Sequence, residues 1–224
     1  MLVTGIKSKP VYAPLQPDLR GRYHLMLGMG VGAAPLARVI AEMRVTAEQT
    51  LKNTRLLYIP EAANHDATAD HGATADNSTT GTQIAAPEIE IFRAAAVGDL
   101  QFFSDASALL ERFTAILEQS LMGTRLYVAG PESFIGLAMK IALAFNLNKD
   151  EIRAEECGTS ARRVYCIHCR ATTENVRTNI VRCVDCERWL LVRDHYSRRL
   201  AAYMGVMVDA EVPGELPPVK ELFL

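Results

Sequence analysis

Four of the five cysteines fall in one pattern, Cys166-Ile-His-Cys169 and Cys183-Val-Asp-Cys186, with thirteen residues between the pairs. A Cys-x-x-Cys segment bends so that both sulfurs face one point, and two such segments supply the four thiolates of a tetrahedral site with zinc-ribbon spacing. The competing reading is two disulfides, or four unrelated core cysteines. Zinc and mononuclear iron both accept four thiolates in this geometry, so the ligand set leaves open a structural staple or a one-electron carrier. A rubredoxin-type iron site usually has Gly after each pair, where backbone N–H groups approach the sulfurs. Here those positions hold Arg170 and Glu187, which favours zinc. His168, between two ligands, reads as a solvent-facing knuckle residue, and Cys157 lies outside the pattern. About sixty residues bury little core without help, so the metal would supply much of this segment's folding free energy.

A second stretch with chemical potential is Gly28-Met-Gly30-Val-Gly32-Ala-Ala-Pro35, between a strand candidate at Tyr23–Leu27 and helical spacing over Leu36–Met43. Strand, glycine loop and helix bring backbone N–H groups and a helix N-terminus toward an anion. The same glycines also serve a tight turn with no ligand. Further along, Arg55–Ile59 and Glu88–Phe92 read as strands, and Ser104 or Asp105 as the cap of a helix to about Gln119. Arg125–Val128 reads as a strand, Ala129-Gly130-Pro131-Glu132 as a turn, Ser133–Phe145 as a helix, and a last strand lies near Ile152. Strands alternating with helices predict an α/β domain, a parallel sheet with helices on both faces. Its ligand crevice lies at the strand C-terminal ends, which gathers Gly28, Gly30, Gly32, Pro35, Gly130 and Pro131 as candidate cofactor-binding positions for NAD(P), a flavin nucleotide, another anion or nothing. No catalytic residue is assigned.

With 224 residues, 49% of them hydrophobic, and a net charge of −2, the chain reads as a soluble protein of one large domain or of one medium and one small. That charge offers no general attraction for nucleic acid or anionic membrane. The N-terminus lacks a signal pattern and the longest apolar run, Leu25–Ala37, is too short to span a bilayer, so the expected location is the cytoplasm. Pro10, Pro14 and Pro17 mark residues 1–20 as an extended arm. Residues 21–156 form the α/β domain, with a flexible insertion at 61–87 poor in large apolar residues. The insertion holds His65, Asp66, Asp70 and His71, a second metal set with nothing rigid to preorganise it. Residues 157–224 form the four-cysteine ribbon with a C-terminal helix and tail. That helix would be capped by Asp194 or Ser197 and stop near Gly205. It would place Arg198 and Arg199 on one side and Leu200, Tyr203 and Met204 on another. Trp189, Leu200 and Tyr203 then serve either as the ribbon's small core or, with the arginines, as interface anchors.

The residues Gly30-Val-Gly32-Ala-Ala-Pro35, Tyr127-Val-Ala-Gly130-Pro131-Glu-Ser-Phe134 and Arg153-Ala-Glu155 resemble the nicotinamide-binding half of ferredoxin reductases. In that family the second loop normally reads Cys-Gly-Pro; here Ala129 stands at the cysteine position, and neither a flavin-binding barrel motif nor a plant-type iron–sulfur run is present. The cysteine pairs, Trp189 through Gly205, and Asp209-Ala-Glu-Val-Pro-Gly-Glu215 resemble the DmmA-like subunit family of bacterial dimethylamine monooxygenase. This resemblance implies a non-haem accessory subunit of an NAD(P)H-dependent complex that demethylates dimethylamine to methylamine and formaldehyde. Haem would belong to an oxygenase partner, and FMN and an iron–sulfur cluster to a reductase partner. The other readings are a rubredoxin-like electron carrier, with iron on the four cysteines, and a zinc-ribbon reader of nucleic acid.

Overall fold

The computed structural model describes residues 8–61 and 87–224. The first part holds five strands and five helices. The strands are β1 (Tyr23–Met29), β2 (Thr54–Ile59), β3 (Asp99–Phe102), β4 (Thr124–Gly130) and β5 (Ile152–Glu156). The helices are α1 (Ala33–Thr46), α2 (Glu48–Lys52), α3 (Pro87–Ala94), α4 (Ala106–Leu117) and α5 (Glu132–Ala144). The strands form one all-parallel sheet in the order β3-β2-β1-β4-β5. Its central strands are apolar on both faces, as a sheet covered by helices on both sides requires. Leu25, Leu27, Leu57, Leu126 and Val128 face α4 and α5. Met26, Leu56, Tyr58 and Tyr127 face α1, α2 and α3. In α1 the buried residues Leu36, Val39, Ile40 and Met43 keep helical spacing, and the Asp105 carboxylate caps α4 by accepting from the Ala108 N–H at 3.0 Å. The α/β parallel sheet expected from the alternation is present.

Two expectations are corrected. Residues Glu88–Phe92 are not a strand but part of α3; Pro87 takes the first helical position, where its missing N–H costs nothing, and Phe92 turns inward at 0% exposure while Ile91 stays 49% exposed. The strand in this region is β3, a four-residue edge element whose apolar residues, Leu100 against the core and Phe102 edge-on to Tyr58, are too few for a periodic signal. The C-terminal helix expected in 157–224 does not form either. A second sheet, order β7-β6-β10-β9-β8, is built from β6 (Arg162–Cys166), β7 (Thr172–Val176), β8 (Ile180–Arg182), β9 (Trp189–Ser197) and β10 (Ala202–Met207). Leu190, Val192 and Tyr196 are buried on one side of the strand alternation, with Asp194 exposed at the remaining position of that side. Gly205 is no helix stop: a Cβ there would come within 2.7 Å of Val164 Cγ1, so the glycine lets β10 lie close on β6. Asp194 caps nothing and instead binds Arg162 at 2.7 Å.

The proline-rich stretch from Ser8 to Arg20 has no regular structure and lies across both sheets. Ser8 donates its N–H to the Asp194 carbonyl at 3.1 Å, and its hydroxyl accepts from the Tyr196 N–H at 2.7 Å. Leu15 is buried against the α1 face, and Asp18, 6% exposed, anchors the other end. The Asp18 N–H donates to the Tyr127 hydroxyl, which stands 3.2 Å from His24 Nδ1; His24 Nε2 lies 3.2 Å from the Gly21 carbonyl. Burial holds the His24 imidazole below its ordinary pKa, so the neutral ring fits this chain of hydrogen bonds. The Asp18 carboxylate meets Arg20 at 2.7 Å and Arg125 and Arg153 at 3.2 Å. Among the described residues no helix is long and apolar enough to cross a membrane. The expected flexible insertion, with His65, Asp66, Asp70 and His71, lies outside the described residues apart from its outermost positions.

Candidate metal centre

Cys166 ends β6 and Cys183 follows β8, so the second sheet brings the two cysteine pairs face to face. Each pair sits in the same hydrogen-bonded knuckle. In the first, Arg170 donates its N–H to the Cys166 carbonyl at 2.9 Å and Cys166 donates to Ala171 at 2.9 Å. In the second, Glu187 donates to the Cys183 carbonyl at 3.2 Å and Cys183 donates to Arg188 at 2.9 Å. All four sulfurs lie within 4.8 Å of one another; Cys166 and Cys186 are 3.7 Å apart, Cys169 and Cys183 3.5 Å. A tetrahedron with metal–sulfur bonds of about 2.3 Å has edges of about 3.8 Å, so the sulfurs fit a single bound ion. The four cysteines carry free thiols, which sets aside the two-disulfide reading. The N–H and guanidinium of Arg188 lower the Cys186 thiol to about 6, favouring the thiolate that a metal needs. His168 is exposed and outside the cluster.

One feature of the knuckles was invisible at the level of residue type. Arg170 has φ +70° and Glu187 φ +60°, the left-handed conformation that a glycine after each pair would take. Each costs about 1–2 kcal/mol in a non-glycine residue, a cost that a bound metal offsets. The backbone therefore has the shape shared by zinc and iron knuckles, and the missing glycines do not separate the two metals.

Cys157, just past β5, donates its N–H to the Gly130 carbonyl at 2.9 Å and stands apart from the four-sulfur cluster. Cys157→Ser is expected to leave metal content unchanged. Elemental analysis checks this, and a fall in bound metal would mean a different ligand set.

The structure also gathers Gly28, Gly30, Gly32, Pro35, Gly130 and Pro131, because β1 and β4 are neighbours whose C-terminal ends carry the two loops. The close packing there explains much of the glycine content. A Cβ on Gly32 would lie 2.2 Å from the Ala129 carbonyl oxygen, and one on Gly28 would lie 2.7 Å from Leu36 and 2.8 Å from Tyr58. Gly30, with φ +54° and open space around it, is the one required by backbone conformation alone; its carbonyl accepts from the Tyr58 hydroxyl at 2.6 Å. The chain leaving β5 crosses this crevice, Gly158 packing against Val31 and Pro131. Glu155 accepts from the Leu15 N–H at 2.6 Å and from Arg38, so the proline-rich stretch already occupies its carboxylate. Sequence reasoning does not find a further polar cluster, Glu132 with Arg162, because its members come from the first turn of α5 and from β6 and no local motif joins them.

Comparison with known proteins gives two family matches. Residues 4–152 match the family described as "Dimethylamine monooxygenase subunit DmmA-like, N-terminal domain", and residues 163–206 match its C-terminal domain. A relative, the "Heme-dependent oxidative N-demethylase delta subunit" of Ectopseudomonas mendocina (strain ymp), is 35% identical over 97 residues, 43% of this chain. The match spans about half, 55%, of that relative's length. Among solved structures, the ferredoxin reductase of carbazole 1,9a-dioxygenase aligns with TM-score 0.39 and 14% identity, over 65% of this chain and 34% of that one. The ferredoxin-NADP+ reductase from Plasmodium falciparum aligns with TM-score 0.36 and 15% identity, over 61% and 53%. The family match extends from the proline-rich stretch through the parallel sheet and resumes on the cysteine sheet, and on that footing the chain belongs to the DmmA-like family of dimethylamine monooxygenase subunits.

Proposed function

We propose that this chain is a non-haem accessory subunit, structural or regulatory, of a multicomponent NAD(P)H-dependent monooxygenase that demethylates dimethylamine to methylamine and formaldehyde in the cytoplasm. The observation that carries the reading is the double family match, which covers both sheets. The haem-bearing oxygenase subunit and the flavin and iron–sulfur reductase subunit are its partners. The chain divides into the arm 1–20, the α/β domain 21–156 with its insertion at 61–87, and the ribbon 157–224. Cys166, Cys169, Cys183 and Cys186 hold zinc, which ties the two knuckles together. Four protein ligands leave no open position, the arrangement of a structural site. The glycine loop is a vestigial or nucleotide-holding turn, and hydride transfer belongs to a partner, since Ala129 carries no thiol beside the crevice.

The left-handed backbone at Arg170 and Glu187 is equally compatible with a second reading, iron in the same thiolates and a place on the electron path. Reconstitution from separately purified subunits tests both. The expected results are colourless protein with one zinc, no NAD(P)H oxidation by this chain alone, and dimethylamine-dependent formaldehyde formation that falls when this chain is withheld. Full activity without it, or turnover by it alone, would overturn the proposal. Iron with thiolate charge-transfer bands would select the second reading.

A further inference from the structure

Glu132 opens α5 directly after Gly130 and Pro131, and its side chain is buried at 3% exposure where the parallel sheet meets the cysteine sheet. Neither carboxyl oxygen has a hydrogen-bond partner. The Tyr196 hydroxyl stands beside the carboxyl and favours its charged form, yet it lies outside hydrogen-bond geometry. Burial works against that charge and pushes Glu132 up to about 7. Its place in the first turn of a helix works for it, since the positive end of the helix dipole favours an anion. A buried carboxylate with no partner is costly, and two routes relieve it: taking up a proton or pairing with a cation.

The protein's own cations are committed elsewhere. Glu132 lines a cavity of about 180 Å³ together with Lys9, Glu156, Arg162, Tyr203 and Phe223. Lys9 is paired with Glu156 at 3.8 Å, and Arg163, the next cation nearby, holds Glu174 at 2.8 Å. Arg162 donates through Nη2 to Asp194 at 2.7 Å, while its guanidinium lies 4.0 Å from the Tyr203 ring centre and 3.7 Å from that of Phe223. These contacts hold the guanidinium on Asp194 and the two rings, and no hydrogen bond joins it to Glu132. When ionised, Glu132 is the acid of this cavity that no cation pairs, and neither of its oxygens accepts a hydrogen bond. Ala161 and Leu222 add carbon to the wall. The buried Nη1 of Arg162 is also unpartnered.

We propose that this cavity binds a small alkylammonium ion, whose N–H groups donate to the two Glu132 oxygens and whose carbon faces the apolar wall. A secondary ammonium has two N–H donors for the two oxygens and the single positive charge that the cavity lacks. A quaternary ammonium has the charge and no donor. The ion class rests on this geometry. The choice of dimethylammonium as probe rests also on the proposed function, in which the subunit would sense the amine its complex consumes.

The test is calorimetric and ligand-observed NMR titration of the full, metal-loaded chain with dimethylammonium, tetramethylammonium and sodium chlorides at constant ionic strength. Saturable one-to-one binding of dimethylammonium in the millimolar range or tighter is expected, with tetramethylammonium and sodium at least tenfold weaker. Glu132→Gln, of the same shape and with its fold checked by circular dichroism, is expected to lose at least tenfold in affinity. Absence of binding to folded wild-type protein would overturn the proposal and leave a hydrated cavity. So would equal binding of the three cations, or undiminished binding by the Gln variant. None of these outcomes bears on whether the complex needs this subunit, which the reconstitution decides separately.

Discussion

Cys183→Ser is expected to abolish metal binding and unfold the five-stranded cysteine sheet, while the parallel sheet keeps its helices. Cys183 is 2% exposed, and its N–H and carbonyl both close the second knuckle. Serine keeps the size of the side chain and loses the thiolate. The core of this sheet is small, and Cys166 and Cys183 are themselves among its nine buried members, so little apolar burial stands behind the metal. Structural zinc supplies on the order of 10–16 kcal/mol in comparable small folds at neutral pH, well above what such a core contributes alone. Every α-helix among the described residues lies in the parallel-sheet part, so circular dichroism near 222 nm reports that part. The single tryptophan, Trp189, opens β9 beside the second knuckle, so its fluorescence reports the other. The expected result is a red-shifted tryptophan emission with a retained helical signal, reproduced in wild-type protein by a strong chelator. Loss of both signals together would show that the two sheets fold as one unit.

Asp18→Asn is expected to cost about 2–3 kcal/mol at pH 7, from loss of charge-assisted hydrogen bonds at a buried position. Hydrogen bonding to Arg20, with Arg125 beside it, holds the Asp18 carboxyl well below the usual carboxylate range. The sign of the pH dependence follows from that depression. The folded protein releases this proton more readily than the unfolded chain, whose aspartates titrate near about 3.9. The contribution is therefore complete above that range and is lost as pH falls through the lower, folded value. Denaturant midpoints of wild type and variant should differ most at pH 7 and converge in strong acid. A difference that stays constant with pH, or one near zero at pH 7, would refute the account.

How much of this was legible in the sequence differs from element to element. β1, β2 and β4 carry apolar runs over 25–27, 56–59 and 126–129, each followed by glycine or proline, and Asp105 announces α4, so local chemistry suffices for them. The cysteine spacing marks the four sulfurs because a knuckle is a local structure. β10 reads as part of a helix because Leu200, Tyr203 and Met204 have helical spacing, a local pattern that pairing with β6 and β9 overrides. The left-handed Arg170 and Glu187 carry no signature at all, since their conformation is imposed by the knuckle and not preferred by the residue. The Asp18 and Glu132 environments depend on residues more than a hundred positions away or on another sheet, which no window of sequence contains.

The contact of Ser8 with Tyr196 spans 188 residues and sets an order of events during synthesis. At the usual 5–20 residues per second, about 10–40 s separate the emergence of the two partners from the ribosome. Through that interval the Ser8 end of the proline-rich stretch has no strand to hold it, even after Asp18 and Leu15 have found β4 and the α1 face. Docking of Ser8 must then be a late event of folding, completed only when the last hairpin is made. A nascent chain stalled before β9 would present this end to chaperones and proteases, and a complete one would not.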